Sequence, residues 1–391
     1  MNYYRFMPIT YDVQKTLKNL PWPRLASQLD TASRAMARAD ERLKQTPDLS
    51  AGLQARAQFI DTCAAMALDG ELVHLEDLVL HDSGADRRAP THELTRAARL
   101  LGLRRRIDRQ GTDTVLTRPG VLALIGHQPD EPGIGEGKDE DCSERGGGLA
   151  GPAQDTSVSD SDAEKLFAEI DLVLKKSEQL AQGRVLPVPL AATQGAQTLP
   201  EPLRDQDTAS RLDGWLQLVE DTKSQNIPPL LTAAILLDSW QVLRPVDNWP
   251  ELGRFLTEKF LKSEVTPNHL PMLCVGLRKS PFRWRRSEAP AVRLAGLLAG
   301  FERAAVESMD QLDRLQLAQD RLTRCCRTSR RHSKLPAFTK MFLNYPLVTI
   351  PMARQDLGVT AAAVDRMIEQ LGSALPRELT GRSRYRAWGI L

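Results

Sequence analysis

Apolar residues recur along most of this chain at intervals of three and four, the period of a helix with one face turned inward. The spacing predicts a helix from Pro23 to about Leu43 and another from about Ser50 to Leu68, with Phe59, Ile60, Cys63 and Met66 inward. Asp69-Gly70 breaks that pattern, and Leu72, Leu75, Leu78 and Val79 carry a third apolar face from Glu71 to His81. Thr91 is placed to cap a basic helix from His92 to Arg109, with Leu94, Ala97, Ala98 and Leu101 inward. Its Arg104-Arg105-Arg106 run falls near the C-terminal end, where the helix dipole favours cations. A short helix from Thr117 to Ile125 completes a helical unit over residues 23–127, preceded by a loosely packed tail over residues 1–20.

The pattern fails between Pro129 and Asp162, which is rich in Gly and acids and almost free of large apolar residues. That composition predicts a disordered linker. An amphipathic helix follows from Ala163 to Gln182, then a second break from Gly183 to Ser210. Leu212, Trp215, Leu216 and Val219 line the next helix. Pro228-Pro229 opens one from Leu230 to about Leu243 that is apolar nearly all round, as a buried helix is. The loop 244–251 separates it from another buried helix, Leu252 to Lys262. Arg283-Trp284-Arg285-Arg286 reads as a loop that packs Trp284 on the body, and Leu294 to Arg327 as one long amphipathic helix or two.

The last stretch gives the densest set of signals. Leu335, Phe338 and Phe342 share one helical face, which Tyr345-Pro346 ends. Thr349 is placed as an N-cap with Pro351 in the first turn, Ala353 and Leu357 face inward, and Gly358 supplies the exit. Thr360 caps a third helix with Val364, Met367, Ile368 and Leu371 on its inner face, and Gly372 ends it. Leu375–Thr380 and Tyr385–Leu391, on either side of Gly381, read as two strands. Three short helices followed by a hairpin is the order of a winged helix-turn-helix.

Charge divides the chain the same way. From Arg321 to Leu391 there are 13 Lys+Arg and 4 Asp+Glu, about +9, whereas the whole chain is formally +2. A basic module on a body of about −7 favours a phosphate-bearing partner, double-stranded DNA. Arg382, Arg384 and Arg386 alternate along the expected wing and would project from one side as phosphate contacts. Thr360 and Arg366 mark the third helix, which is otherwise poor in side chains that read bases. No apolar run approaches the roughly 20 residues of a membrane span. Cys63, Cys142, Cys274, Cys325 and Cys326 lack zinc-site spacing and read as reduced cytoplasmic thiols. His74, His81 and His92 do not match a compact metal set, so neither a metal nor another cofactor is expected.

The segment from Pro228-Pro229-Leu230 to Leu261 resembles the core of the Fic (filamentation-induced) family, H-P-F-x-D-G-N-G-R-x-G-R-L-L after an apolar helix. Allowing one deletion, Arg244-Pro245-Val246 stands at H-P-F, Asp247 at the acid and Gly253-Arg254 at the final G-R. The resemblance implies a scaffold that transfers nucleotide monophosphate to hydroxyls. In that family the His takes the proton, the acid holds magnesium, and the Gly-Asn-Gly turn and an Arg hold phosphates. Here Arg244 or Leu243 stands at the His, Asn248-Trp249-Pro250 at the turn, and Glu251 at the phosphate Arg. An Arg is no base near neutral pH, Pro250 has no N–H, and Glu251 would repel phosphate. Ala65-x-x-x-Asp69-Gly70 likewise resembles a worn form of the family's inhibitory S/T-x-x-x-E-G helix. The resemblance thus implies the scaffold without the chemistry.

Over more of its length the chain resembles an uncharacterised bacterial family of unknown function. The strings that carry this are D-G-E-L-V-H-L-E-D-L-V-L-H-D at Asp69–Asp82, T-H-E-L at Thr91–Leu94, and T-G-R-x-R-x-R-A-W-G-I at Thr380–Ile390. It implies a helix-turn-helix DNA-binding end. The expectation is a mainly α protein, with a Fic-like helical body and a winged helix-turn-helix carrying a small β-hairpin. Its regions are 1–128, the linker 129–162, the core 163–330 and the DNA-binding module 331–391. Its function is that of a cytoplasmic transcriptional regulator with a catalytically inactive body. Two alternatives stay open: a nucleotidyl (AMP) transferase with an altered site, and a toxin–antitoxin-like binder whose apolar body holds a protein partner or a second copy.

Overall fold

The computed structural model describes residues 11–85, 89–126, 206–246, 249–327, 333–381 and 386–391. The expected linker at 129–162, the helix at 163–182 and residues 183–205 of the second break lie outside these. Residues 206–210 of that break are already helical. The described residues before 127 and after 205 belong to one compact unit.

That unit is mainly helical. Its elements are α1 (Val13–Lys18), α2 (Trp22–Lys44), α3 (Pro47–Leu68), α4 (Leu75–Asp82), α5 (His92–Arg109), α6 (Thr112–Val115) and α7 (Arg118–Gly126). Then come α8 (Gln206–Ser224), α9 (Pro229–Leu243), α10 (Pro250–Glu264), α11 (Leu273–Lys279) and α12 (Pro290–Cys326). The C-terminal part is α13 (Leu335–Asn344), β1 (Val348–Thr349), α14 (Ile350–Leu357), α15 (Ala361–Leu371), β2 (Arg377–Glu378) and β3 (Ala387–Gly389). The strands form one antiparallel sheet in the order β1-β3-β2, with Val348 opposite Trp388 and Arg377 opposite Gly389.

The long helix α12 is one element of 37 residues, about 55 Å at 1.5 Å per residue. It packs along α2, where Gln28 donates to Glu302 at 3.0 Å and Arg42 to Asp313 at 2.6 Å, so the two helices run parallel. Its first half borders α9 and α11, and its last half carries the C-terminal module. The helix α9 is buried on nearly every side, as its composition requires. Trp215 on α8 meets Trp240 on α9 edge to face and donates its Nε1 to the Leu236 carbonyl at 3.0 Å.

Three expectations change. The described end of the N-terminal tail is not loose: Val13 and Leu20 are buried, and the Tyr11 hydroxyl donates to Asp238 at 2.9 Å. Leu72 faces solvent, because α4 begins only at Leu75 and residues 71–74 are outside any helix. Arg104 is not part of a solvated helix end, because it continues the inward stripe of Ala97, Leu100 and Leu101 and is buried with them.

Candidate nucleic-acid interface and the inward charges of the body

The C-terminal module is built as its sequence dictates. Thr349 Oγ1 accepts from Met352 N and caps α14, and Gly358 leaves that helix at φ 64, a left-handed conformation that suits glycine. Thr360 Oγ1 accepts from Ala363 N at 3.3 Å and caps α15. Val364, Met367, Ile368 and Leu371 are buried, so α15 turns its other face to solvent. That outer face presents Ala361, Ala362, Asp365, Arg366, Glu369 and Gln370. The first two are small and leave the capped helix end open, and one Arg is outnumbered by two acids. Arg366 donates its Nε to the Ala362 carbonyl at 3.2 Å, which holds it against the helix. Exposed positive charge comes instead from the preceding segments, at Lys334, Lys340 and Arg354.

The expected row of wing arginines divides. Arg382 and Arg384 lie outside the described residues. Arg386 is not a free phosphate contact: its Nε and Nη2 donate to Glu378 Oε2 at 3.0 and 2.8 Å, and its guanidinium lies 4.8 Å from the Trp388 ring centre. It is fixed within the sheet, since Glu378 stands opposite Trp388 across β2 and β3. Trp388 is buried as expected. The strand β1 carries no sequence signal, because two residues are too few to show alternation.

The module is not a separate bead. Its Phe338, Phe342, Val364, Leu371 and Trp388 share one apolar cluster with Leu43, Leu53, Leu312, Leu315 and Leu322 of the body. Arg56 on α3 makes the joint. Its five N–H groups donate to the carbonyls of Gly52, Phe342, Leu343, Tyr345 and Ile390 at 2.6–2.8 Å. Among the described residues no carboxylate pairs with it, and burial pushes its pKa down to about 10. The α13 end approaches so closely that a Cβ on Gly52 would stand 1.8 Å from the Leu343 oxygen. Sequence reasoning missed Arg56, and the available signal was a lone basic residue three positions before the inward Phe59.

In the body, charge faces inward. The residues of α10 at positions 251, 254, 258 and 262 lie on one stripe. Glu251 pairs with Arg96, Arg254 with Asp69, Glu258 with Arg104, and Lys262 with Asp108 at 2.6 Å. Arg104 also donates to Asp61 at 2.7 Å, and Asp61 accepts from Val275 N at 2.8 Å. Burial first, then the charge of Asp69, pushes the Glu251 carboxyl up to about 7. Three carboxyls (Asp69, Glu71 and Glu251) share the two arginines Arg96 and Arg254, and one oxygen each of Glu71 and Glu251 has no hydrogen-bond partner. Elsewhere Asp238, the one acid of α9, accepts from Tyr11, Trp284 and Arg293. Trp284 is therefore anchored on the body, as expected.

The residues placed at the Fic-like loop are thus partly accounted for. Arg244 ends α9 in a left-handed conformation with φ 48, is exposed, and its carbonyl accepts from Arg211 at 2.9 Å. Asp247 and Asn248 lie outside the described residues. Glu251 and Arg254 are buried in ion pairs. Four of the five acids of the string Asp69–Asp82 meet arginines: Asp69 and Glu71 as above, Glu76 with Arg377 at 2.8 Å, and Asp82 with Arg105 at 2.6 Å.

Among known proteins, residues 203–327 match a family described as protein of unknown function, DUF1612. Residues 335–391 match a family described as HTH DNA binding domain. The chain is also 35% identical over 363 residues to the uncharacterized protein y4cF of Sinorhizobium fredii, covering 90% of this chain and 93% of that one.

Proposed function

We propose that this chain, which belongs to the family of unknown function joining a DUF1612 region to a helix-turn-helix DNA-binding domain, is a DNA-binding transcriptional regulator. The single observation that carries this reading is the module of α13, α14 and α15. It presents the capped, small-residue end of α15 to solvent, and Lys334, Lys340 and Arg354 of the same module are exposed. In this reading the α15 end and Arg354 lie on the duplex, and β2, β3 and the segment between them act as a wing bearing Arg382 and Arg384. Phosphate contacts set affinity, and the sparse outer face of α15 leaves much of the sequence preference to DNA shape. The test is titration of the full-length protein with duplex DNA at several salt concentrations. A salt-insensitive isotherm would contradict it.

The body, in the same proposal, is a Fic-like scaffold without transferase chemistry. What supports this is the place of Glu251: the position that would hold phosphate carries a buried acid tied to Arg96. No basic side chain from that position is free to meet an anion. The expected outcome is no transfer of labelled nucleotide to protein in the presence of magnesium. Label that appears on protein, and disappears with Asp247→Ala, would restore the transferase reading.

A further inference from the structure

Between the body and the C-terminal sheet lies a cavity of about 1030 Å³. One wall is α12 with the start of α4, and the other is the segment that follows α15 together with the end of β3. Leu317 and Leu322 of α12 face Leu375, Leu379 and Ile390 of the module across it. Arg314 and Arg321 stand at the α12 side. They are seven residues apart, two turns on one face and about 10 Å along the helix axis. Both are exposed, and among the described residues neither has an ion pair or hydrogen bond. Half-exposed Leu317 sits between them. On the α4 part of the same wall Glu76 pairs with Arg377 of β2 at 2.8 Å, and Asp77 also lines the space.

We propose that this cavity is a binding site for an amphipathic anion: an apolar body carrying one carboxylate, phosphate or sulfonate. The apolar part lies between Leu317 and the module leucines, where it leaves water. The anionic head meets Arg314 and Arg321, which have no other partner to give up. The volume stands at the upper end for small-molecule sites, roughly 300–1,000 Å³, so a chain or fused-ring body fits. The site also carries regulation, and this half rests on the DNA-binding reading. A ligand there touches both the body and the segment directly after α15, so it binds with different affinity when the module shifts on the body. By linkage it changes DNA affinity by the same factor.

The experiment uses full-length protein and the fluorescent sulfonate 1-anilinonaphthalene-8-sulfonate, with decanoate, decyl phosphate and decanol as competitors. One saturable site is expected. Decanoate and decyl phosphate displace the probe, the better of them marking the preferred head group, and decanol does so about tenfold less well. R314E/R321E, checked for unchanged circular dichroism, weakens probe binding about tenfold, and R314K/R321K restores it to within about threefold. At fixed ionic strength decanoate shifts duplex affinity about threefold in the parent and not in R314E/R321E. Unsaturable probe binding, equal competition by decanol, or parent-like binding in R314E/R321E overturns the site. Anion binding at the arginines with no effect on duplex affinity overturns the coupling alone. A specific anion site in a protein that never binds duplex would sink the DNA-binding reading and leave the site standing.

Discussion

The outer face of α15 and the inner stripe of α10 are built from the same kinds of residue and end in opposite states. On α10, Glu251, Arg254, Glu258 and Lys262 each meet an opposite charge on another element. On α15, Asp365, Arg366, Glu369 and Gln370 meet solvent. A polar group already committed inside the fold is costly to free, so it can shape the scaffold but has little left for a ligand. An uncommitted one is available for recognition. The difference says where function lies: the body spends its charge on holding itself together, and the module, with the cavity beside it, keeps charge free.

The comparison breaks most sharply at Arg104. Replacing it with Ala leaves Asp61 and Glu258 buried without their cation, since both carboxyls stand within its reach. Loss of one member of such a group costs about 3–5 kcal/mol. Chemical denaturation should show that loss, whereas Arg366→Ala on the outer face should stay within about 0.5 kcal/mol of the parent. Equal effects of the two would erase the distinction.

Arg56→Met tests the joint between the two regions. It removes five donors and leaves the Phe342 and Leu343 carbonyls buried, and those of Tyr345 and Ile390 part-buried, without their partner. The expected cost is about 3 kcal/mol, with earlier proteolysis of residues after 333 than of the body. Arg56→Lys rescues little, because an ammonium has only three donors and no planar fork. A variant as stable as the parent would mean that the shared apolar cluster alone holds the module.

A smaller effect sharpens the inner side. The folded protein holds Glu251 up to about 7, against an ordinary value of 4.5. A raised carboxyl binds a proton that the unfolded chain releases. Its stabilising contribution is therefore complete below about 4.5 and is lost as pH rises through about 7. Glu251→Gln should flatten unfolding free energy against pH across that window. An unchanged slope would mean that Glu251 stays ionised beside Arg96.

Periodicity made the module and α9 legible because each of their signals is local: a cap, a glycine exit, an apolar stripe. The joint was not legible. Arg56 looks like any surface base on α3, and only the distant carbonyls of Phe342, Leu343, Tyr345 and Ile390 make it a core residue. The same holds for Arg104, which a charge rule places outside and the helical phase places inside. Phase was the better guide, since Arg104 extends the Ala97–Leu101 stripe. On the candidate site, Thr360 and the faces of α15 followed from pattern. The capture of Arg386 by Glu378 needed the strand register, which no spacing shows.

The central claim is that recognition uses the module's exposed cations together with Arg382 and Arg384, and salt dependence measures it most directly. Full-length protein should bind duplex DNA with affinity that falls steeply between about 50 and 200 mM salt. If Lys334, Lys340, Arg354, Arg382 and Arg384 each neutralise a phosphate, the log–log slope is about −4.5, and R382A/R384A brings it to about −2.7. Arg386→Ala should leave the slope nearly unchanged, because that side chain is already paired. Affinity that ignores salt, or a slope that R382A/R384A does not alter, would contradict the account.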